Sequence, residues 1–142
     1  MTAKEYLMQI QRMKQTADSL GEKAEALRAE MEGLKAITYD KDRVQVSPSN
    51  RMEELMPKLI EIEERYGETI FKYHKAVLIR TEQIASLGNS LSKVLMLRYV
   101  EGKRWERIAV DLGYTYRNVT RIHKKALAVF ERRYKDVLEC PI

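Results

Sequence analysis

Nine apolar residues stand at alternating steps of four and three between positions 6 and 34: Tyr6, Ile10, Met13, Ala17, Leu20, Ala24, Leu27, Met31 and Leu34. No step slips. A strand would alternate every second residue, so this period belongs to a helix with one narrow apolar seam, the pattern of a coiled coil over about four heptads. A seam of that kind leaves water only by lying against another helix. Ala17 and Ala24 are small, so the partner helix can approach closely there. Gly21 stands mid-helix, where it costs roughly 1 kcal/mol relative to alanine.

A second stretch has the length to be that partner. The pattern stops between Ala36 and Asn50, where Tyr39-Asp40-Lys41-Asp42-Arg43 is polar and Ser47-Pro48-Ser49-Asn50 is turn chemistry. Asn50, with Glu53 three residues on, reads as a helix start. Pro57 then falls too deep for a first-turn proline, so the helix either starts near it or is kinked there. Leu59, Ile62, Tyr66, Ile70, Tyr73, Val77, Ile84 and Leu87 continue a nearly heptad seam, interrupted by a charge at Arg80. Two long helices joined by a connector of roughly 14 residues, long enough for a tight reversal, imply an antiparallel hairpin. Gly88 ends the stretch, and Asn89 or Ser90 is placed to cap the next helix. Three shorter helices are then expected: Leu91 to Val100, Trp105 to Leu112, and one from after Thr115 towards Leu138.

Charge divides the chain at the same place. Residues 1–88 hold 14 basic and 15 acidic side chains, whereas residues 89–142 hold 12 and 6, so the whole positive excess lies in the C-terminal part. A localised basic excess is the electrostatic footprint of nucleic-acid binding, although a solvated basic helix face would give the same count.

The stretch from Ile108 to Ile122 is patterned as a helix-turn-helix. Ile108 and Leu112 share one face, Ala109 is small where two helices cross, and Gly113 suits a sharp turn with positive φ. Thr115 is placed to cap the second helix, and Val119, Ile122 and Ala126 form its inward stripe. With these positions in hand, VLMLRYVEGKRWERIAVDLGYTYRNVTRIHKKALAVF, residues 94–130, resembles the DNA-binding region four of sigma-70-class factors. The likeness lies in LRYVEG before the motif, IA and LG within it, the Thr, Val and Ile of the second helix, and KKAL after it. The layout of the chain as a whole resembles small sigma-like proteins encoded by phages and prophages of Gram-positive bacteria.

The resemblance implies that the helix after Thr115 enters the DNA major groove and that Tyr116, Arg117, Thr120 and Arg121 face the bases. Two positions depart from the family. Arg117 stands where an acidic residue is usual, and Arg donates to guanine where a carboxylate would accept from cytosine. Arg104 stands where a Ser or Thr cap is usual. Helical spacing agrees with the implied interface: Arg117, Arg121, Lys124 and Lys125 share one side, opposite Val119, Ile122 and Ala126. The candidate DNA-binding set is Thr115, Tyr116, Arg117, Asn118, Thr120, Arg121, Lys124 and Lys125.

The remaining conspicuous residues have ordinary readings. Trp105 and Tyr114 are expected to pack, His74 to be a surface or boundary histidine beside the seam rather than a ligand, His123 to be exposed and neutral, and Cys140 to be inert. The methionines fill apolar helix positions. No two glycines stand close enough for a dinucleotide or phosphate loop, two His and one Cys do not make a zinc site, and no nucleophile has a nearby base. No apolar run reaches the roughly 20 residues of a membrane span, the N-terminus lacks a signal-peptide core, and one cysteine suits a reducing cytoplasm.

The expectation is therefore an all-α chain: an antiparallel helical arm, 1–88, and a three-helix head with a helix-turn-helix, 89–142. Its expected work is sequence-specific binding of double-stranded DNA in transcription regulation of phage or prophage genes, with RNA polymerase as a possible second partner and no cofactor, metal, membrane or enzymatic activity. Two rivals are a DNA-packaging protein of the small-terminase kind, which would form a ring, and a polymerase-binding module that ignores DNA. Apolar residues beside the seam, including Leu7, Leu55, Ile60, Phe71 and Ile79, would stay exposed on a two-helix arm, so a homodimer through the arm is expected.

Overall fold

A computed structural model describes residues 1–38 and 48–140. The fold is all-α, with no strand among the described residues. Its elements are α1 (Ala3–Thr38), α2 (Pro48–Ala85), α3 (Asn89–Leu95), α4 (Trp105–Leu112), α5 (Tyr116–Arg133) and α6 (Lys135–Glu139). The polar connector from Tyr39 to Arg43 lies outside the described residues. No helix among those described is long and apolar enough to cross a membrane.

Four helix boundaries differ from the sequence reading. α2 starts at Pro48 rather than Asn50 and runs through Pro57 without ending. The residue at the N-cap of α3 is Gly88, not Asn89 or Ser90, and no side chain caps that helix. The first short helix does not stay α-helical to its end: Met96–Val100 forms a wider π-turn, closed by the Glu101 N–H on the Met96 carbonyl at 3.0 Å. The last helix breaks at Tyr134, so the C-terminal part holds more than three helical segments. By contrast, α4 begins and ends where its residues imply, and α5 starts directly after Thr115.

By compactness the chain forms two units whose borders fall within both long helices. One unit is Lys14–Lys72. Its core is Ala24, Met31, Leu55 and Leu59, with Leu27, Leu34, Met52 and Ile62 packed around it. Leu55 is 1% exposed, so it belongs to the seam rather than beside it. Gly21 is explained here: the Tyr66 ring lies 3.3 Å from where a Cβ would stand. At the margin, Arg28 pairs with Glu63 at 2.6 Å and Arg51 with Glu30 at 2.7 Å.

The other unit is Met1–Met13 with Tyr73–Ile142. One of its cores joins the start of α1 and the end of α2 to the C-terminal helices: Ala3, Tyr6, Leu7, Ile84, Leu95, Tyr99, Ala126, Phe130 and Leu138. Leu7 is thus fully buried, against the expectation that it lies exposed beside the seam. Thr2 and Glu5 cap α1 reciprocally: the Thr2 hydroxyl accepts from the Glu5 N–H and the Glu5 carboxylate from the Thr2 N–H. That bonding holds the Glu5 carboxyl below its ordinary pKa. The Glu131 carboxylate accepts from the Ala3 N–H at 3.1 Å, tying α5 to the same helix start. Arg80, which interrupts the sequence seam, is buried in this unit with its guanidinium 4.1 Å over the Tyr6 ring and an N–H donated to Gln9. Burial pulls its pKa below the usual arginine value.

Candidate nucleic-acid interface

α4 and α5 are held by a second core of the same unit. Val94, Ile108, Ala109, Val119 and Ile122 are buried together, with Leu112, Trp105 and Tyr114 packed against them. The turn between the helices needs its glycine: Gly113 has φ 69° and ψ 30°, a left-handed conformation that side chains rarely adopt. The Gly113 and Tyr114 N–H groups close α4 by donating to Val110 and Ala109 carbonyls. Thr115 then caps α5, its hydroxyl accepting from the Asn118 N–H at 3.1 Å. At the start of α4, Arg104 occupies the cap position without a capping bond.

This packing decides which residues of α5 meet water. Val119, Ile122 and Ala126 are buried, and Arg117, Arg121, Lys124 and Lys125 are exposed on the opposite side. Tyr116 is 54% exposed at the first turn. Thr120 and Asn118 are half-buried at the edges of this face. Two hydroxyls are already engaged: Thr115 in the cap, and Thr120 by donating to the Tyr116 carbonyl at 3.0 Å. The Arg121 guanidinium donates to the Asn118 side-chain oxygen at 2.8 Å, which links those two candidates. α5 carries no acidic residue before Glu131. Among the described residues, Arg117, Lys124 and Lys125 take part in no ion pair, whereas Lys103 and Arg107 are both drawn to Asp111. A capped helix N-terminus beside cations without counter-charges is suited to anionic oxygen.

Behind this face lies a cluster that sequence reading missed. His123 is 9% exposed, a correction to its expected exposure. Its Nε2 shares a 2.7 Å hydrogen bond with the Tyr99 hydroxyl, and the Trp105 ring meets it edge-on at 4.5 Å. Burial, with Lys4 and Arg98 adding positive charge, lowers its pKa to about 4, so the ring is neutral near pH 7. Burial likewise pushes the Tyr99 hydroxyl up to about 12. The Arg98 guanidinium covers Trp105 at 4.5 Å and donates to the Lys103 carbonyl at 3.0 Å.

The π-turn leaves the Tyr99 carbonyl in reach of α1, where the Gln11 amide donates to it at 2.9 Å. Gly102 permits this approach: φ is 70°, and a Cβ there would meet the Gln11 side-chain oxygen at 3.0 Å. The signal for His123 lay in its spacing. It follows Val119 by four residues and precedes Ala126 by three, which places it on the packed arc of α5.

His74 is exposed beside Tyr73, Cys140 is exposed, and no group of three or more His, Cys, Asp or Glu among the described residues could hold a metal ion. Comparison with known proteins returns no match to a family model, to a curated protein or to a solved structure.

Proposed function

We propose that this chain is a DNA-binding regulator of transcription, with α4 and α5 acting as a helix-turn-helix head carried by an antiparallel hairpin of α1 and α2. The observation that carries the reading is the two-sided character of α5. One side is buried through Val119, Ile122 and Ala126, and the other exposes Arg117, Arg121, Lys124 and Lys125 next to the Thr115 cap. Phosphates are met by Lys124, Lys125 and the helix N-terminus. Base edges are met by Tyr116, Arg117 and Arg121, with Asn118 orienting Arg121 through their mutual bond. The net basic excess of residues 89–142 supports the same reading, as does their resemblance to sigma region four. Arg117 directs the reading towards guanine, so an ordinary minus-35 element is not the expected target.

Selection of bound sequences from a random DNA pool tests this with the full chain. A recovered consensus, with a log–log salt slope of roughly −4 to −5, is the expected result. Arg121→Ala should weaken the consensus site by about 1–3 kcal/mol and relax one position of it. Lys125→Ala should weaken all sequences alike. No binding at low salt would overturn the proposal in favour of a protein-binding head, and a ring of many chains would favour DNA packaging.

A further inference from the structure

α2 is one uninterrupted helix from Pro48 to Ala85. Besides its packed side, it carries a second apolar line through Ile60, Gly67, Phe71 and Leu78. Steps of seven, four and seven keep these residues within an arc of about 40° at 100° per residue. Ile60 is 50% exposed, Phe71 70% and Leu78 67%. A Cβ on Gly67 would meet nothing within 4 Å, so the line has an open notch beside its largest side chain. Exposed side chains of this size, aligned on one helix, mark a surface that something covers.

The line itself specifies what covers it. Its spacing is the same in both directions about residue 69. A second copy of α2 laid antiparallel therefore sets Ile60 against Leu78 and Phe71 against Gly67, twice. A ring then enters a notch at both central positions, and large against small is what lets two helices pack closely. Glu64 and Lys75 lie along one flank of the line and are both exposed. Antiparallel pairing brings Glu64 of each copy near Lys75 of the other. Parallel pairing would oppose Phe71 to Phe71 and would set Glu64 and Lys75 of the two copies on opposite sides of the contact. Of the expected exposed strip, Ile60 and Phe71 remain on this surface, Ile79 points elsewhere, and Leu7 and Leu55 are buried in their own chain.

We infer that this line is a self-docking surface, through which two copies of the chain pair by α2 about a two-fold axis at residue 69. The contact is isologous, so it closes at two chains. One helix pair lies at the small end of interface sizes, roughly 1,200 Å² or less in total, so association should vary with concentration in the micromolar range or above. The inference is independent of the DNA-binding reading: a chain that dimerises and ignores DNA would overturn that reading alone.

Sedimentation equilibrium on the full chain tests it across roughly micromolar to near-millimolar protein. The mass should rise from 16.7 kDa to twice that value. Gly67→Leu fills the notch while improving helix propensity, so it should keep its helicity and weaken pairing tenfold or more. Phe71→Glu should do the same by removing the ring. A mass that stays at one chain throughout would overturn the inference. So would a larger assembly, or pairing that both variants leave unchanged.

Discussion

Among the described residues, nine large side chains are fully buried, and eight lie in Met1–Met13 or Tyr73–Ile142; Leu55 alone belongs to Lys14–Lys72. The second unit has two helices, and each can hide only the stripe that faces the other. Its core therefore relies on Ala24, Met31, Leu55 and Leu59, and its margins on exposed ion pairs such as Arg28–Glu63, worth about 0.2–1 kcal/mol each. The first unit surrounds its helix ends with α3, α4, α5 and α6, so it can close over Phe130, Leu95 and Ile108 from several directions. The difference teaches that helix length does not measure core depth. The longest helices supply the thinner core.

The comparison breaks most visibly at Phe130, which is fully buried and lies 4.8 Å from the Tyr134 ring and 6.0 Å from the Tyr6 ring. Phe130→Ala should cost about 3–5 kcal/mol. Amide exchange should accelerate across Met1–Met13 and Tyr73–Ile142, while Lys14–Lys72 keeps its protection. Equal acceleration in both would show one cooperative unit. Leu55→Ala is the reciprocal change and should cost about 2–3 kcal/mol, the low end for a buried leucine, because a two-helix layer relaxes or admits water more readily. Its exchange should accelerate within Lys14–Lys72 first.

The third effect depends on pH. His123 has a lowered pKa in the folded chain, about 4 against an ordinary 6.5, so the unfolded chain takes up its proton first. Its contribution is complete above about pH 6.5 and is lost as pH falls towards 4, on the order of 3 kcal/mol. His123→Gln should flatten that part of the stability curve in denaturant titrations across the window. An unchanged slope would mean that His123 is open to water. The smallest effect separates two glycines of the thinner unit. Gly33→Ala has nothing within 4 Å of the new Cβ and should gain about 0.5–1 kcal/mol. Gly21→Ala should gain less, because the Tyr66 ring must move; thermal unfolding of the two variants compares them.

Part of the candidate site is legible in the residues alone. Gly113, Thr115 and the stripe Val119, Ile122, Ala126 are local signals: a turn conformation, a cap and a helical period each act within a few residues. The face that carries Arg117, Arg121, Lys124 and Lys125 follows from the same period. The support behind that face is not legible in this way. The Tyr99–His123 bond spans 24 residues and the Gln11–Tyr99 bond 88, and neither partner's residue type announces the other. Expecting His123 to be exposed fails because a histidine on a basic helix looks solvated until the Trp105 ring and the Tyr99 hydroxyl are packed against it.

By itself the sequence determined that the chain is helical, where α4 lies, where α5 starts, and which seam of α1 leaves water. Periodicity and capping are properties of a few successive residues, and here they agree. Tertiary structure decided the rest. It buried Leu7 and Arg80, since whether a side chain is covered depends on helices that arrive from elsewhere in the chain. It closed Met96–Val100 into a π-turn, with Gln11 donating to the Tyr99 carbonyl, and it broke the last helix at Tyr134, whose ring packs on Phe130 and whose hydroxyl meets Ser86 at 2.6 Å. It also set the borders of the compact units within α1 and α2, because a compact unit is defined by how many layers can surround a side chain, and no local pattern records that.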